Sequence, residues 1–158
     1  LRPFGGLDLD RAALIHGEAF TAAWDQRWDR QAFAELLAMP GAFGLMAEPT
    51  SEPGCEAPVG LLLMRVAADE AEIVTLAVLP AWRRHGVGFH LMEKGESEAA
   101  SRHAKRLFLE VAEDNFAARK LYGSLGFAMV GRRAGYYARG SLGSAAAIVM
   151  AKTNLTNV

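Results

Sequence analysis

Apolar residues recur in two rhythms along the chain, short alternating or continuous runs and runs spaced three and four apart, and the switch between them lays out the expected elements. Leu1 to Phe4 predicts a short edge strand. Asp8 or Asp10 then caps a helix that carries Leu14, Ile15, Ala19 and Phe20 toward a core. Asp29 caps a second, shorter helix with Phe33, Leu36 and Leu37 on one face, and Pro40-Gly41 stops it. Phe43 to Ala47 reads as a strand, and Glu48 to Pro58, rich in Pro, Ser, Gly and Glu, as a solvent loop. Val59 to Val66 and Glu72 to Val78 read as antiparallel neighbours turned by Ala68-Asp69-Glu70. Their near-continuous apolar character predicts burial on both faces.

The next helix runs to about Arg102 with Leu91, Met92 and Ala99 inward, weakened by Gly95. Arg106 to Val111 reads as a buried strand. Asp114 or Asn115 caps a helix whose Ala118, Leu121, Tyr122 and Leu125 make an apolar stripe, ended by Gly126 in the left-handed conformation. Phe127 to Tyr137 and Ala145 to Lys152 pair as a terminal hairpin, and the tail from Thr153 is expected to fray. Strands first antiparallel, then joined across helices, predict an α/β fold: a mixed, mostly antiparallel sheet with helices on both faces.

Composition narrows the function classes. A chain of 158 residues, 51% hydrophobic and 22% charged, fits one globular domain over residues 1–158. A formal net charge of -1 gives no general reason to expect nucleic acid or a membrane as partner. A single cysteine, Cys55, excludes an internal disulfide framework and a Cys-rich metal site. The four histidines, His16, His85, His90 and His103, lack metal-ligand spacing and read as packed or solvated, so no metal is expected. No apolar run approaches the roughly 20 residues of a membrane span, and no signal-peptide pattern opens the chain, so a cytoplasmic enzyme is expected.

The stretch from Glu72 to Leu91 carries the clearest chemistry. An apolar run ending in Leu76-Ala77-Val78 meets Pro80, and Arg83-Arg84-His85-Gly86-Val87-Gly88 then opens an amphipathic helix. Unpaired N–H groups and the positive dipole end of that helix would converge on one point, so the stretch reads either as an anion cradle or as a plain strand-to-helix turn. Gly86 and Gly88 let the backbone approach a ligand, and Arg83 and Arg84 favour a diphosphate over a carboxylate.

Arg83-x-x-Gly86-x-Gly88 continues into Leu109-Glu110-Val111, Asn115, Leu121-Tyr122, Leu125-Gly126-Phe127 and Arg132-Arg133-x-x-Tyr136-Tyr137. This series resembles the acetyl-CoA signature of the GNAT N-acetyltransferase superfamily, and most of all its RimI-like branch, which acetylates the N-terminal alanine of a ribosomal protein. The likeness is dense from Leu76 to Tyr137 and thin before Gly60. It implies a sheet splayed between the fourth and fifth strands to admit acetyl-CoA. The backbone of Leu76, Ala77 and Val78 would pair with the pantetheine arm. Arg84, His85, Gly86, Val87, Gly88 and Phe89 would wrap the pyrophosphate, with Arg83 assisting. Phe89 stands where relatives often carry a basic or small polar residue.

Acetyl transfer to an amine needs a base and an acid. Glu110 interrupts an apolar strand, where a carboxylate is costly unless solvated, paired with a basic neighbour, or used; the resemblance favours general base. Glu72, on the preceding strand, is its rival. Tyr122 is either a core tyrosine or the acid for the departing thiolate. Asn115 caps its helix or binds the pantetheine amides. Trp24 and Trp28 pack the first two helices together or rim the acceptor site, and Tyr136 and Tyr137 shape a peptide slot or are ordinary hairpin aromatics. Three readings follow: a transferase acting on a protein or peptide N-terminus, a relative acting on a small amine, or a non-catalytic acyl-CoA-binding domain.

Overall fold

The computed structural model describes all residues except 23–24, 50–56, 154 and 156–158. Seven strands among the described residues form one sheet: β1 (Arg2–Pro3), β2 (Ala42–Ala47), β3 (Gly60–Ala67), β4 (Glu70–Val78), β5 (Arg106–Ala112), β6 (Ala128–Ala138) and β7 (Ser144–Thr153). Their order across the sheet is β1-β2-β3-β4-β5-β7-β6. Every neighbouring pair is antiparallel except β4 and β5, which run parallel. Helices α1 (Leu9–Ala19) and α2 (Arg30–Leu37) cover one face, meeting the sheet through Ile15, Phe33, Met46, Leu61 and Leu63. Helices α3 (Val87–Ser101) and α4 (Phe116–Ser124) cover the other, through Leu62, Met64, Leu91, Leu107 and Tyr122. β3 therefore contributes alternate residues to both cores, and its run from Gly60 to Met64 is buried without a break.

β4 departs from the expected burial on both faces. Ala71, Ile73, Thr75 and Ala77 are buried, but Glu70 and Glu72 are exposed and Val74, Leu76 and Val78 only half-buried. The β3–β4 register slips: Leu63 pairs with Thr75 and Met64 with Ile73, leaving Val74 as the extra residue of a bulge. Ile73 packs on the α3–α4 side and Ala77 on the α1–α2 side, although four residues along an unbroken strand share a face. Just before this bulge the β4–β5 pairing ends. It covers only Glu70 with Arg106, Ala71 with Leu107 and Glu72 with Phe108, after which the strands part. The expected splay is present.

Local signals explain most helix ends. Asp29 caps α2 by accepting from the Ala32 N–H at 2.9 Å, and Asn115 caps α4 by accepting from the Ala118 N–H at 3.2 Å. Gly126, at φ 88°, ends α4 as expected. Neither Asp8 nor Asp10 caps α1 through its side chain. A 3-10 turn over Gly6–Asp8 leads straight into the helix, and the Asp8 carboxylate turns back to the Gly5 N–H and to the Arg2 guanidinium at 2.7 and 2.8 Å. Those contacts pin β1 to α1 and hold the Asp8 carboxyl below the usual carboxylate range. Leu14 also faces outward, 44% exposed; the buried stripe is Leu9, Ala12, Ile15 and His16. Gly95 lies buried against Leu62 and Met64, so close that a methyl group there would strike both. The close seating of α3 on β3 thus depends on the residue that weakens the isolated helix. At the far end Thr153 pairs with Arg106 and belongs to β7 rather than to a frayed tail. Among the described residues no helix is long and apolar enough to cross a membrane.

Candidate active site

The parting of β4 and β5 opens a groove of about 1210 Å³ between the start of α3 and the facing walls formed by the α1–α2 side and the β6–β7 hairpin. Its first wall is the expected cradle. A 3-10 turn over Pro80–Trp82 follows β4, Arg84 and Gly86 adopt left-handed conformations (φ 64° and 79°), and α3 begins at Val87. The His90 N–H is bonded to the Gly86 carbonyl at 3.0 Å, so the N–H groups of Val87, Gly88 and Phe89 lie ahead of the helical ladder at its positive end. Gly88 sits beside Leu76, Val78 and Leu121, where its lack of a side chain leaves the floor of the groove open. Phe89 packs against the core and also lines the groove.

Arg83 points elsewhere than the phosphate role implies. Its guanidinium donates to the Ala19 carbonyl at 2.8 Å and the Val78 carbonyl at 3.3 Å, fastening the end of α1 to the end of β4. His85, whose Nδ1 lies 2.8 Å from the Arg83 carbonyl, is the one proposed cofactor residue outside the groove lining.

Tyr122 and Glu110 line the same groove from α4 and β5. Tyr122 is buried beside Phe127, and burial pushes its hydroxyl up to about 12, so the group stays protonated at neutral pH. Among the described residues that hydroxyl has no hydrogen-bond partner, yet it is not sealed from the groove. Glu110 does not sit in a buried strand as expected. β5 alternates, with Leu107, Leu109 and Val111 inward and Glu110 on the open face, where it forms an ion pair with Arg133 at 3.1 Å. Glu72 lies off the groove, in a neighbouring hollow of about 280 Å³ that also reaches Glu110.

Two walls flank Glu110. Trp28 stacks on His16 at 4.7 Å between ring centres and meets Phe33 edge-on, so it packs the helices and lines the groove at once. Trp24 lies outside the described residues. Across the groove Tyr136 and Tyr137 pack edge to face at 5.0 Å. Burial, together with the Glu110 charge, raises the Tyr137 phenol above its ordinary range. Two ion pairs fix this hairpin to the β5–α4 loop: Arg132 with Glu113 at 2.8 Å and Arg139 with Asp114 at 2.9 Å. Asp114 is thus used here, which leaves the helix cap to Asn115.

Sequence reasoning missed His16, Asp25 and Arg139 as groove residues. His16 is buried among aromatics, its Nδ1 facing the Trp28 N–H at 3.4 Å, and desolvation lowers it from 6.5 to about 4 against the opposing charge of Asp25. A stripe counted through Leu9, Ala12, Ile15 and His16 would have found it.

The family model of the GNAT acetyltransferases matches residues 9–127. The chain belongs to the GNAT acetyltransferase family. Among its curated relatives, the ribosomal protein bS18-alanine N-acetyltransferase of Haemophilus influenzae is 36% identical over 93 residues, 59% of this GNAT chain and 63% of the relative. The match thus spans just under two thirds of that relative's length. The crystal structure of the ribosomal-protein-S18-alanine N-acetyltransferase from Escherichia coli superposes with a TM-score of 0.81 at 29% identity, covering 98% of this chain and 93% of that one. Arabidopsis thaliana NAA60, solved in complex with acetyl-CoA, shares the fold with a TM-score of 0.79 at 20% identity, over 96% of each chain.

Proposed function

We propose that this GNAT protein transfers the acetyl group of acetyl-CoA to the α-amine of a protein N-terminus, with the N-terminal alanine of a ribosomal protein as the acceptor its relatives point to. The observation that carries the reading is one groove that joins a main-chain donor cradle to a half-exposed carboxylate and a tyrosine hydroxyl that has no hydrogen-bond partner among the described residues.

Acetyl-CoA fits that groove on two grounds. Beyond Glu72 the β4 backbone has lost β5 as a partner, so Leu76, Ala77 and Val78 can pair with an extended amide-bearing arm. At the cradle, the N–H groups of Val87, Gly88 and Phe89 suit a diphosphate, with Arg84 at the rim. Asn115 uses its side-chain oxygen for the α4 cap, which leaves its NH2 as the end that would meet the pantetheine amides. When bound, acetyl-CoA supplies the activated acetyl group and a thiolate leaving group. Glu110 takes the proton of the acceptor amine, directly or through water, and the Tyr122 hydroxyl donates a proton to the sulfur. Trp28, Tyr136 and Tyr137 line the acceptor end and fit an extended peptide better than a compact small amine. A ribosomal acceptor would be met in the cytoplasm.

Incubating the protein with acetyl-CoA and a panel of N-terminal peptides and small amines tests this. Transfer to alanine-starting peptides, followed by mass spectrometry, is the expected result. Transfer confined to small amines would replace the acceptor assignment, and acetyl-CoA binding without transfer to any amine would leave a binding domain.

A further inference from the structure

We propose that Arg133 positions the Glu110 carboxylate, holding one oxygen so that the other is presented to the acceptor amine; this rests on the acetyltransferase reading above. The sheet register makes the contact possible. Glu110 pairs with Val149 of β7, and Val149 pairs with Gly131 of β6, so these three stand in one row across three strands. Arg133, two residues beyond Gly131, points to the same face, in the row of Ala147 and Ala112. It must cross about two strand spacings, roughly 10 Å, to meet Glu110, a reach that suits a long cationic side chain. Gly131 has no side chain and Ala147 only a methyl, so in these rows Val149 is the one branched side chain between the two residues. Nη2 of Arg133 then lies 3.1 Å from Oε1 of Glu110.

The backbone of β6 also braces the arginine. Its register slips between Arg133 and Tyr137, with Gly135 left-handed at φ 64°. This places the Tyr136 ring 5.6 Å from the Arg133 guanidinium, with Tyr137 edge-on behind it. The pair is open to water, with the side chains 58% and 30% exposed, so it adds little to folding stability. Its value lies in the reaction. A guanidinium on Oε1 fixes the rotamer of Glu110 and leaves the second oxygen free to meet the acceptor amine. The other groups near Glu110 are Tyr136 and Tyr137 on β6, Glu70 and Glu72 on β4, and Arg65 on β3 across the smaller hollow; Asp25, His16 and Arg139 line the groove opposite. Of these, only Arg133 forms an ion pair with Glu110 among the described residues.

The test uses the full chain with acetyl-CoA and an alanine-starting peptide. Arg133→Gln should lower kcat/KM roughly tenfold, with the loss in kcat rather than in KM for the peptide, because the carboxylate loses the contact that orients it. Arg133→Lys should recover part of the loss, while melting temperature and acetyl-CoA affinity stay at the wild-type values. In a Glu110→Gln background, Arg133→Gln should cost nothing further. The Glu110 carboxyl carbon resonance should also shift in Arg133→Gln, a readout independent of turnover. An equal loss in both backgrounds, or an unchanged resonance, would overturn the proposal. A wild-type protein that acetylates no peptide would instead strike the proposed function, and the resonance would still decide the contact.

Discussion

Glu110 and Tyr122 reach the groove from different elements, and the proposed reaction gives each one direction of proton transfer. The Tyr122 hydroxyl, pushed up to about 12 by burial, can donate at neutral pH but does not ionise there. Tyr122→Phe should therefore lower kcat with little change in acetyl-CoA affinity or melting temperature, since the ring stays packed on Phe127. Steady-state kinetics beside calorimetry checks this; an unchanged kcat removes Tyr122 from the chemistry. Glu110→Gln should lower kcat/KM by roughly a hundredfold, with partial rescue as rising pH supplies free amine. A variant that keeps the wild-type rate and acidic limb would shift attention to Glu72. His16 bears on stability rather than turnover. The folded protein keeps it neutral down to about 4, whereas the unfolded chain takes its proton near 6.5. The stabilisation is fully present above 6.5 and is lost as pH falls from there through about 4. His16→Phe, which keeps an aromatic ring against Trp28, should flatten that part of the melting-temperature profile; an identical decline in both proteins would disprove the linkage.

At the scale of elements, the end of the groove proposed to take the acceptor depends on a hairpin that is clamped rather than packed. Nearly every residue of β6 is exposed, and its place beside β7 is reinforced by Arg132–Glu113 and Arg139–Asp114. The Tyr136–Tyr137 pair is held over Arg133 by the register slip, not by a core. Tyr137→Ala should raise KM for peptide while acetyl-CoA affinity stays unchanged, because the cradle is built on α3 and β4. An intact peptide KM would place acceptor selection on the α1–α2 side. The cradle itself stands on firmer ground. α3 is seated closely on β3 at Gly95, so the donors at its N-terminus are fixed relative to the sheet.

Across the whole molecule, the gap between β4 and β5 would couple the proposed ligand to the fold. A ligand that replaces the missing strand partner and engages the start of α3 should stabilise the native state by about 2.7 kcal/mol when present at a hundred times its dissociation constant. Thermal melting with and without acetyl-CoA should show a rise of several degrees, absent in Gly86→Val, where a branched residue must adopt φ 79°. An equal rise in that variant would place the cofactor elsewhere. The elements, the Asp29 and Asn115 caps and the Gly86 turn were readable along the chain, because each depends on neighbours a few residues away. The cradle motif was legible for the same reason, since Pro80, the glycines and the apolar run before them act within one turn. The rest was decided only when strands met. The Val74 bulge switches the faces of β4, the short β4–β5 pairing opens the groove, and the β5–β7–β6 register brings Arg133 over to Glu110. Likewise Arg83 is drawn to the Ala19 carbonyl and His16 into an aromatic nest by the packing of α1 on the sheet. A side chain's partners come from segments far away in sequence, and local periodicity carries no record of which strand will lie beside which.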